Sequence, residues 1–119
     1  MTAGMTPTLY GIPNCDTMKK ARVWLEQNGV AYSFHDYKKV GIDKASLQRW
    51  VAEHGWPVVL NRAGTTFRKL PEAERADLDD ARAIALMLAQ PAMIKRPVLD
   101  LGDRTLVGFK PERYAAAFA

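Results

Sequence analysis

The sequence predicts one α/β domain spanning residues 1–119, in which a β-α-β unit, a helical middle and a β-β-α unit follow one another. Three observations predict it. The apolar run Thr8–Gly11 and the period-two run Tyr32–Tyr37 flank a stretch whose apolar residues recur at helical spacing. The middle of the chain carries helix caps and helical spacing in place of alternation. Near the C-terminus, Val98–Leu101 and Thr105–Phe109 flank Gly102-Asp103-Arg104, a tight-turn sequence typical of an antiparallel hairpin. No repeat, low-complexity segment or linker interrupts the order.

Each element has a local reason. Thr8–Gly11 is a short strand that stops at a glycine, with Pro13 two residues on. From about Asp16 to Asn28, Met18, Ala21, Trp24 and Leu25 share one helix face, and Gly29 fits the left-handed position that ends a helix. Tyr32–Tyr37 makes the second strand, and β-α-β normally means parallel strands joined by a right-handed crossover. Asp43 is a good N-cap for a helix carrying Leu47, Trp50 and Val51 inward, which His54-Gly55-Trp56-Pro57 terminates. Val58-Val59-Leu60 is either a helical turn or a buried extended piece, and Asn61 to Leu70 reads as a polar loop. Asp79 or Asp80 caps a further helix, with Ala81, Ile84, Met87 and Leu88 as its buried face, ending near Gln90-Pro91. Pro111 starts a last short helix, where its missing N–H costs nothing.

Composition narrows the functional classes. The longest apolar-rich stretch, Ala81 to Met93, is broken by Arg82, Gln90 and Pro91 and is too short to cross a membrane. No basic segment precedes a long apolar one, so no secretory signal is expected; Met5 is a candidate start, with Met1 to Gly4 as an extension. A single cysteine forms no internal disulfide, which favours a reducing cytoplasm. The net charge of +4 comes from scattered basic residues not interleaved with aromatics, so no nucleic-acid partner is expected. The expectation is a cytoplasmic monomer that binds neither nucleic acid nor membrane.

The one cysteine, Cys15, stands where the first helix begins. The first turn of a helix leaves backbone N–H groups unpaired and carries partial positive charge, which favours the nucleophilic thiolate. Lys19 and Lys20, one turn on, add positive potential. A lone cysteine is otherwise an inert core residue, but a core filler has no reason to follow a Gly-x-Pro-x sequence at a helix start. Cys15 therefore reads as a reactive thiol.

The β-α-β…β-β-α order with a cysteine at the first helix start is the thioredoxin-like (glutaredoxin-like) arrangement. In it, a proline just before the third strand is usually cis and faces the cysteine, and Pro97 stands at that position. Arg96 would then lie beside Cys15 and place a permanent positive charge near the thiolate and any anionic substrate, where the alternative is an ordinary solvated arginine.

Counting excludes or weakens other cysteine chemistries. A dithiol site needs a second cysteine at position 18, which is Met18. A phosphatase loop needs an arginine at position 21, which is Ala21, with Arg22 one residue out of register. The two histidines, His35 and His54, fall on a strand and a helix end and read as residues without a catalytic role. One cysteine and two dispersed histidines lack metal-ligand spacing. What remains is a monothiol whose adduct must be resolved by an external thiol such as glutathione.

Four motifs in order, Pro13-Asn14-Cys15-Asp16-Thr17-x-Lys19-Lys20-Ala21, Leu60-Asn61-x-x-Gly64-Thr65-Thr66-x-Arg68-x-Leu70, Ile94-Lys95-Arg96-Pro97 and Gly108-Phe109-Lys110-Pro111-Glu112, resemble the arsenate reductase (ArsC)-like family. The resemblance is to its YffB-type branch, with the Spx regulators as more distant relatives, and covers the chain from Leu9 onward. It implies a thioredoxin-like core with an inserted helical region at about residues 41–90.

The resemblance also implies roles. Glutathione-coupled arsenate reductases use a nucleophilic cysteine, matched by Cys15, and three arginines around the oxyanion, of which only Arg96 is retained. Asn61 and Lys110 stand at the other two positions, so arsenate would meet one guanidinium, one ammonium and one neutral amide, which are not equivalent for bidentate recognition. Arg62 or Arg68 is the alternative cation. The YffB-type branch implies a glutathione-dependent thiol reductase without a tightly bound cofactor. On that resemblance Cys15 and Arg96 would be its catalytic residues, and Asn14, Lys19, Asn61, Pro97 and Lys110 would contact glutathione or a glutathionylated or disulfide substrate. Lys19, Arg96 and Lys110 would receive glutathione's carboxylates. Arsenate reduction and a non-enzymatic, Spx-like adaptor contacting RNA polymerase are the alternatives. Such adaptors typically carry Cys-x-x-Cys here, which Met18 removes. The Gly64-Thr65-Thr66 turn reads equally as a tight loop and as a ligand contact.

Overall fold

The first two strands and the helix between them form as their residues dictate. The computed structural model describes residues 6–119, so the candidate start at Met5 lies outside the described residues. Strand β1 (Thr8–Gly11) runs into helix α1 (Asp16–Gln27), which buries Met18, Ala21 and Leu25 at helical spacing. Asn28 ends the helix and Gly29, at φ 68°, turns the chain left-handed. Val30 N–H then bonds to the Leu25 carbonyl at 2.9 Å. Strand β2 (Ser33–Asp36) pairs parallel to β1, with Gly11 opposite Asp36.

The chain forms two compact units. One takes the described residues up to Val40 and those from Arg96 to Ala119; the other is Gly41–Lys95. In the first, a four-stranded sheet has the order β2-β1-β3-β4, where β3 is Val98–Asp100 and β4 is Thr105–Val107. Strand β3 runs antiparallel to both β1 and β4. Leu9, Met18, Ala21, Leu25, Leu99 and Tyr114 form its fully buried core cluster, Tyr114 coming from the last helix (Pro111–Ala117). Each such aliphatic side chain contributes roughly 1.5–3 kcal/mol on leaving water. This is the thioredoxin-like β-α-β…β-β-α arrangement.

Two details of this unit differ from the sequence-based expectation. Tyr37 does not extend β2. The Asp36 carboxylate accepts the N–H groups of Lys38 (3.1 Å) and Lys39 (3.2 Å), which caps a helical turn α2 (Tyr37–Val40) and directs Tyr37 into the interior. The hairpin strands are also shorter than their apolar runs: β3 stops at Asp100 and β4 at Val107.

The second unit is helical, with helices α3 (Lys44–His54), α4 (Trp56–Val59), α5 (Thr65–Arg68), α6 (Glu72–Arg75) and α7 (Asp80–Ala89). A 3-10 turn, Pro91–Met93, follows α7. The last helix of the chain, in the first unit, is α8 (Pro111–Ala117). Asp43 caps α3 by accepting from Ser46 N–H at 3.2 Å, and Asp79 caps α7 by accepting from Arg82 N–H at 2.8 Å. Leu47, Trp50, Val51, Val59, Ile84, Met87 and Met93 are buried within it. Val58-Val59-Leu60 turns out to be both forms considered: α4 ends at Val59, and Leu60 makes an isolated bridge to Ile94.

The expected polar loop Asn61–Leu70 contains α5, which a single buried residue, Phe67, anchors; four residues are too few to show periodicity. The buried face of α7 is Ala83, Ile84 and Met87: Leu88 is half-buried, and capping at Asp79 leaves Ala81 in the exposed first turn. No helix among the described residues is long and apolar enough to cross a membrane.

Candidate functional site

Register brings three stretches to one end of the sheet in the first unit. Tyr10 pairs with Val98 of β3, and Gly11 pairs with Asp36 of β2. The C-terminal end of β1 therefore lies between Asp36-Tyr37 on one side and Arg96-Pro97 on the other. From that end the chain leaves β1 through Ile12-Pro13-Asn14 and delivers Cys15 to the start of α1.

Cys15 is the N-cap residue of α1, with extended backbone (φ −132°, ψ 130°), and it packs partly buried against the core cluster. Its thiol makes no capping hydrogen bond of standard geometry. Burial alone would raise its pKa; the N–H of Met18, the Arg96 guanidinium and the N–H of Thr17 together outweigh burial and hold the thiol below its ordinary value. This is the helix-start effect anticipated from sequence, with a side-chain cation added. Arg96 reaches Cys15 as a hydrogen-bond donor, and the Arg96-Pro97 peptide is cis. Pro97 itself is buried, and its carbonyl accepts the Gly108 N–H at 2.8 Å.

Met18 explains the glycine that ends β1. It is fully buried, and a Cβ added at Gly11 would run into its Sδ and Cε. The position that a second thiol would need is thus filled by a long apolar side chain lying against a glycine.

The other residues expected at the site are divided between the two units. Asn14 is exposed and lines a cavity of about 230 Å³ with Ile12, Pro13, Asp36, Lys38 and Lys39. Lys19 is exposed on α1 and borders a groove of about 310 Å³ with Lys20, Val23, Trp24, Gln27 and Phe109. Lys110 is exposed as the N-cap residue of α8, its carbonyl accepting from Arg113 and Tyr114. Asn61 belongs to the second unit, where its amide packs on Gly64; a Cβ there would lie 2.9 Å from Nδ2. That contact gives Gly64 a packing reason and supports the tight-loop reading of Gly64-Thr65-Thr66. Arg62, also in this unit, stands over the Trp56 ring at 5.4 Å. The histidines have structural partners: His35 stacks on Tyr10 at 4.7 Å and His54 approaches Glu53 at 3.4 Å. Among the described residues no group of His, Cys, Asp or Glu is arranged to hold a metal ion.

Sequence reasoning missed Tyr37. Its side chain is fully buried, and its hydroxyl is hydrogen-bonded by Arg96, the residue that also reaches Cys15. Burial pushes its phenol pKa up; Arg96 opposes that, while the charges of Cys15 and Asp36 reinforce it. The only signal in the sequence was Asp36 ahead of two lysines, a helix-capping pattern hidden by the alternation of the strand before it.

The chain has arsenate-reductase-like and Spx-like relatives. A YffB protein of known structure is 74% identical, covering 96% of this chain and 100% of its own, with TM-score 0.94. An arsenate reductase (ArsC) related protein from Brucella melitensis, solved in solution, is 57% identical over 99% of this chain and 98% of its own, with TM-score 0.76. An uncharacterized protein of Haemophilus influenzae is 39% identical over 94% of this chain and 98% of its own. The global transcriptional regulator Spx of Streptococcus mutans is 24% identical over 92% of this chain and 80% of its own. The model of the ArsC family matches residues 10–117. With a family match over residues 10–117 and a relative 39% identical over nearly its whole length, the chain belongs to the ArsC family.

Proposed function

We propose that the protein is a monothiol oxidoreductase that reduces glutathionylated or disulfide substrates with glutathione. The observation that carries this reading is Cys15, held below its ordinary pKa by helix-start N–H groups and Arg96, with Met18 where a resolving thiol would stand. A disulfide substrate first exchanges with a thiolate of reduced glutathione, which releases one substrate thiolate and leaves a glutathionylated substrate. The Cys15 thiolate attacks the glutathione sulfur of that mixed disulfide, or of a substrate already glutathionylated. A Cys15–S–S–glutathione bond forms, the substrate S–S bond breaks, and the departing thiolate takes a proton from solvent. A thiolate of reduced glutathione then attacks the glutathione sulfur of that adduct. Oxidised glutathione leaves and the Cys15 thiolate returns, stabilised by Arg96. Lys19, Arg96 and Lys110 are the cations proposed to receive glutathione's carboxylates, with Asn14 and the backbone at Pro97 as further contacts. The cavity beside Asn14 adds Lys38 and Lys39 to this set. Arsenate fits less well, because of the three oxyanion positions only Arg96 carries a guanidinium.

The test is incubation of the reduced protein with oxidised glutathione, followed by intact mass measurement, with Cys15→Ser and Arg96→Ala alongside. The expected result is one added glutathione on the wild type, none on Cys15→Ser, slower addition to Arg96→Ala, and removal by reduced glutathione. No adduct, with an ordinary thiol titration, overturns the reductase reading and leaves partner binding as the activity to pursue.

A further inference from the structure

Arg96 carries a long side chain with many rotamers, and a guanidinium stabilises a thiolate only while it stays beside it. The register described above sets Tyr37 and Arg96 at the two flanks of the β1 terminus, one following β2 and the other preceding β3. Tyr37 is the first residue of a turn that Asp36 caps, it is fully buried, and Arg96 bonds to its hydroxyl as well as to Cys15. We propose that Tyr37 is a positioning residue, its buried hydroxyl accepting a hydrogen bond from Arg96 so that the guanidinium is held against the Cys15 sulfur. The proposal deepens the reductase reading and rests on it.

The division of labour follows from the chemistry of the three groups. The guanidinium has five donors and no acceptor, so it can serve a phenol oxygen and a thiolate together. The phenol, fixed by its burial, offers a stationary acceptor at a point that solvent cannot contest. The charged neighbours of Tyr37 are Arg96, Cys15 and Asp36, and the Asp36 carboxylate is already engaged by the N–H groups of Lys38 and Lys39. Tyr37 acts on the thiol through Arg96 and does not exchange a proton with it.

The experiment is the rate of Cys15 alkylation by iodoacetamide against pH, for wild type, Tyr37→Phe, Arg96→Ala and the double variant. Tyr37→Phe keeps the ring and removes only the hydroxyl. Its thiol is expected to titrate higher than wild type, with alkylation below the titration midpoint slowed roughly three- to tenfold, tenfold corresponding to one pKa unit. In the Arg96→Ala background the same change is expected to have no further effect. A Tyr37→Phe profile that matches a depressed wild-type profile overturns this proposal alone, as does an equal shift in the Arg96→Ala background. A wild-type thiol that titrates as free cysteine overturns the reductase reading, and this inference with it. Should Tyr37→Phe fail to fold, nitrogen relaxation of the Arg96 Nε–H in the wild type decides. Order as high as that of the backbone supports the proposal, and a freely rotating guanidinium overturns it.

Discussion

In the first unit, Cys15, Tyr37 and Arg96 come from three separated stretches and meet because of sheet register; in the second, Asp43 caps Ser46 and Asp79 caps Arg82 within a single helical turn. A polar group satisfied by its chain neighbours costs the fold little and can be exchanged locally. A cation held between a buried phenol and a thiol needs three strands in place at once. The contrast separates polar residues that make helices from polar residues that the fold assembles for chemistry.

The largest predicted effect breaks the first unit at its glycine. Gly11→Ala drives a Cβ into Met18, and overpacking of this kind should destabilise by about 1–3 kcal/mol, read as a lower urea midpoint. Gly64→Ala in the second unit meets the Asn61 amide, which can move aside, and the Asn61 carbonyl oxygen at an ordinary 3.5 Å, and should cost less than about 1 kcal/mol in the same assay. Equal losses at the two glycines would erase the distinction.

Next come the caps. Asp43→Ala and Asp79→Ala should each cost about 1 kcal/mol, with Cys15 alkylation rates unchanged. An altered thiol profile in either variant would show that the second unit's caps reach the cysteine.

Tyr114→Phe is expected to act in the opposite direction. Its hydroxyl is buried and meets no hydrogen-bond partner among the described residues, so its removal should be neutral or stabilise by up to about 1 kcal/mol in thermal unfolding. A loss of stability would mean that the hydroxyl has a partner after all. Tyr37→Phe, whose hydroxyl is bonded, provides the contrast within the same unit.

The smallest effect is a pH slope. Because the folded thiol is held below its unfolded value, the folded state binds fewer protons between the two pKa values. The stability of wild type relative to Cys15→Ser should therefore rise with pH from the lowered folded value up to ~8.5, and stay level above it. The increment vanishes as pH falls through the folded value. Paired urea titrations across that range should show the slope, and Arg96→Ala should flatten it.

Much of this was legible in the sequence. The strand–Gly–x–Pro–x–Cys order located Cys15 because helix-start chemistry is local, and Gly102-Asp103-Arg104 located the hairpin for the same reason. Asp43 and Gly29 likewise announced a start and a stop. Tyr37 was not legible, since its partner Arg96 arrives through the β1–β3 pairing and no spacing rule joins the two positions. Helix α5 was hidden because one buried phenylalanine makes no period. Asn61 was placed in a motif by resemblance, yet the packing that explains it, against Gly64, depends on atoms that only coordinates reveal.

The seating of Met18 on Gly11 couples the redox character of the site to the shape of the core. Met18→Cys would bring a second sulfur to the first turn of α1, but it would also empty the volume beside Gly11 and should cost about 1–3 kcal/mol. Enlarging Gly11 first would collide with Met18. A dithiol variant of this chain is therefore one substitution away, at a cost in stability, and only a second change at Gly11 would refill the emptied volume. Core packing thus favours the one-thiol state, and a larger residue at position 11 is expected to restore part of the stability that Met18→Cys loses.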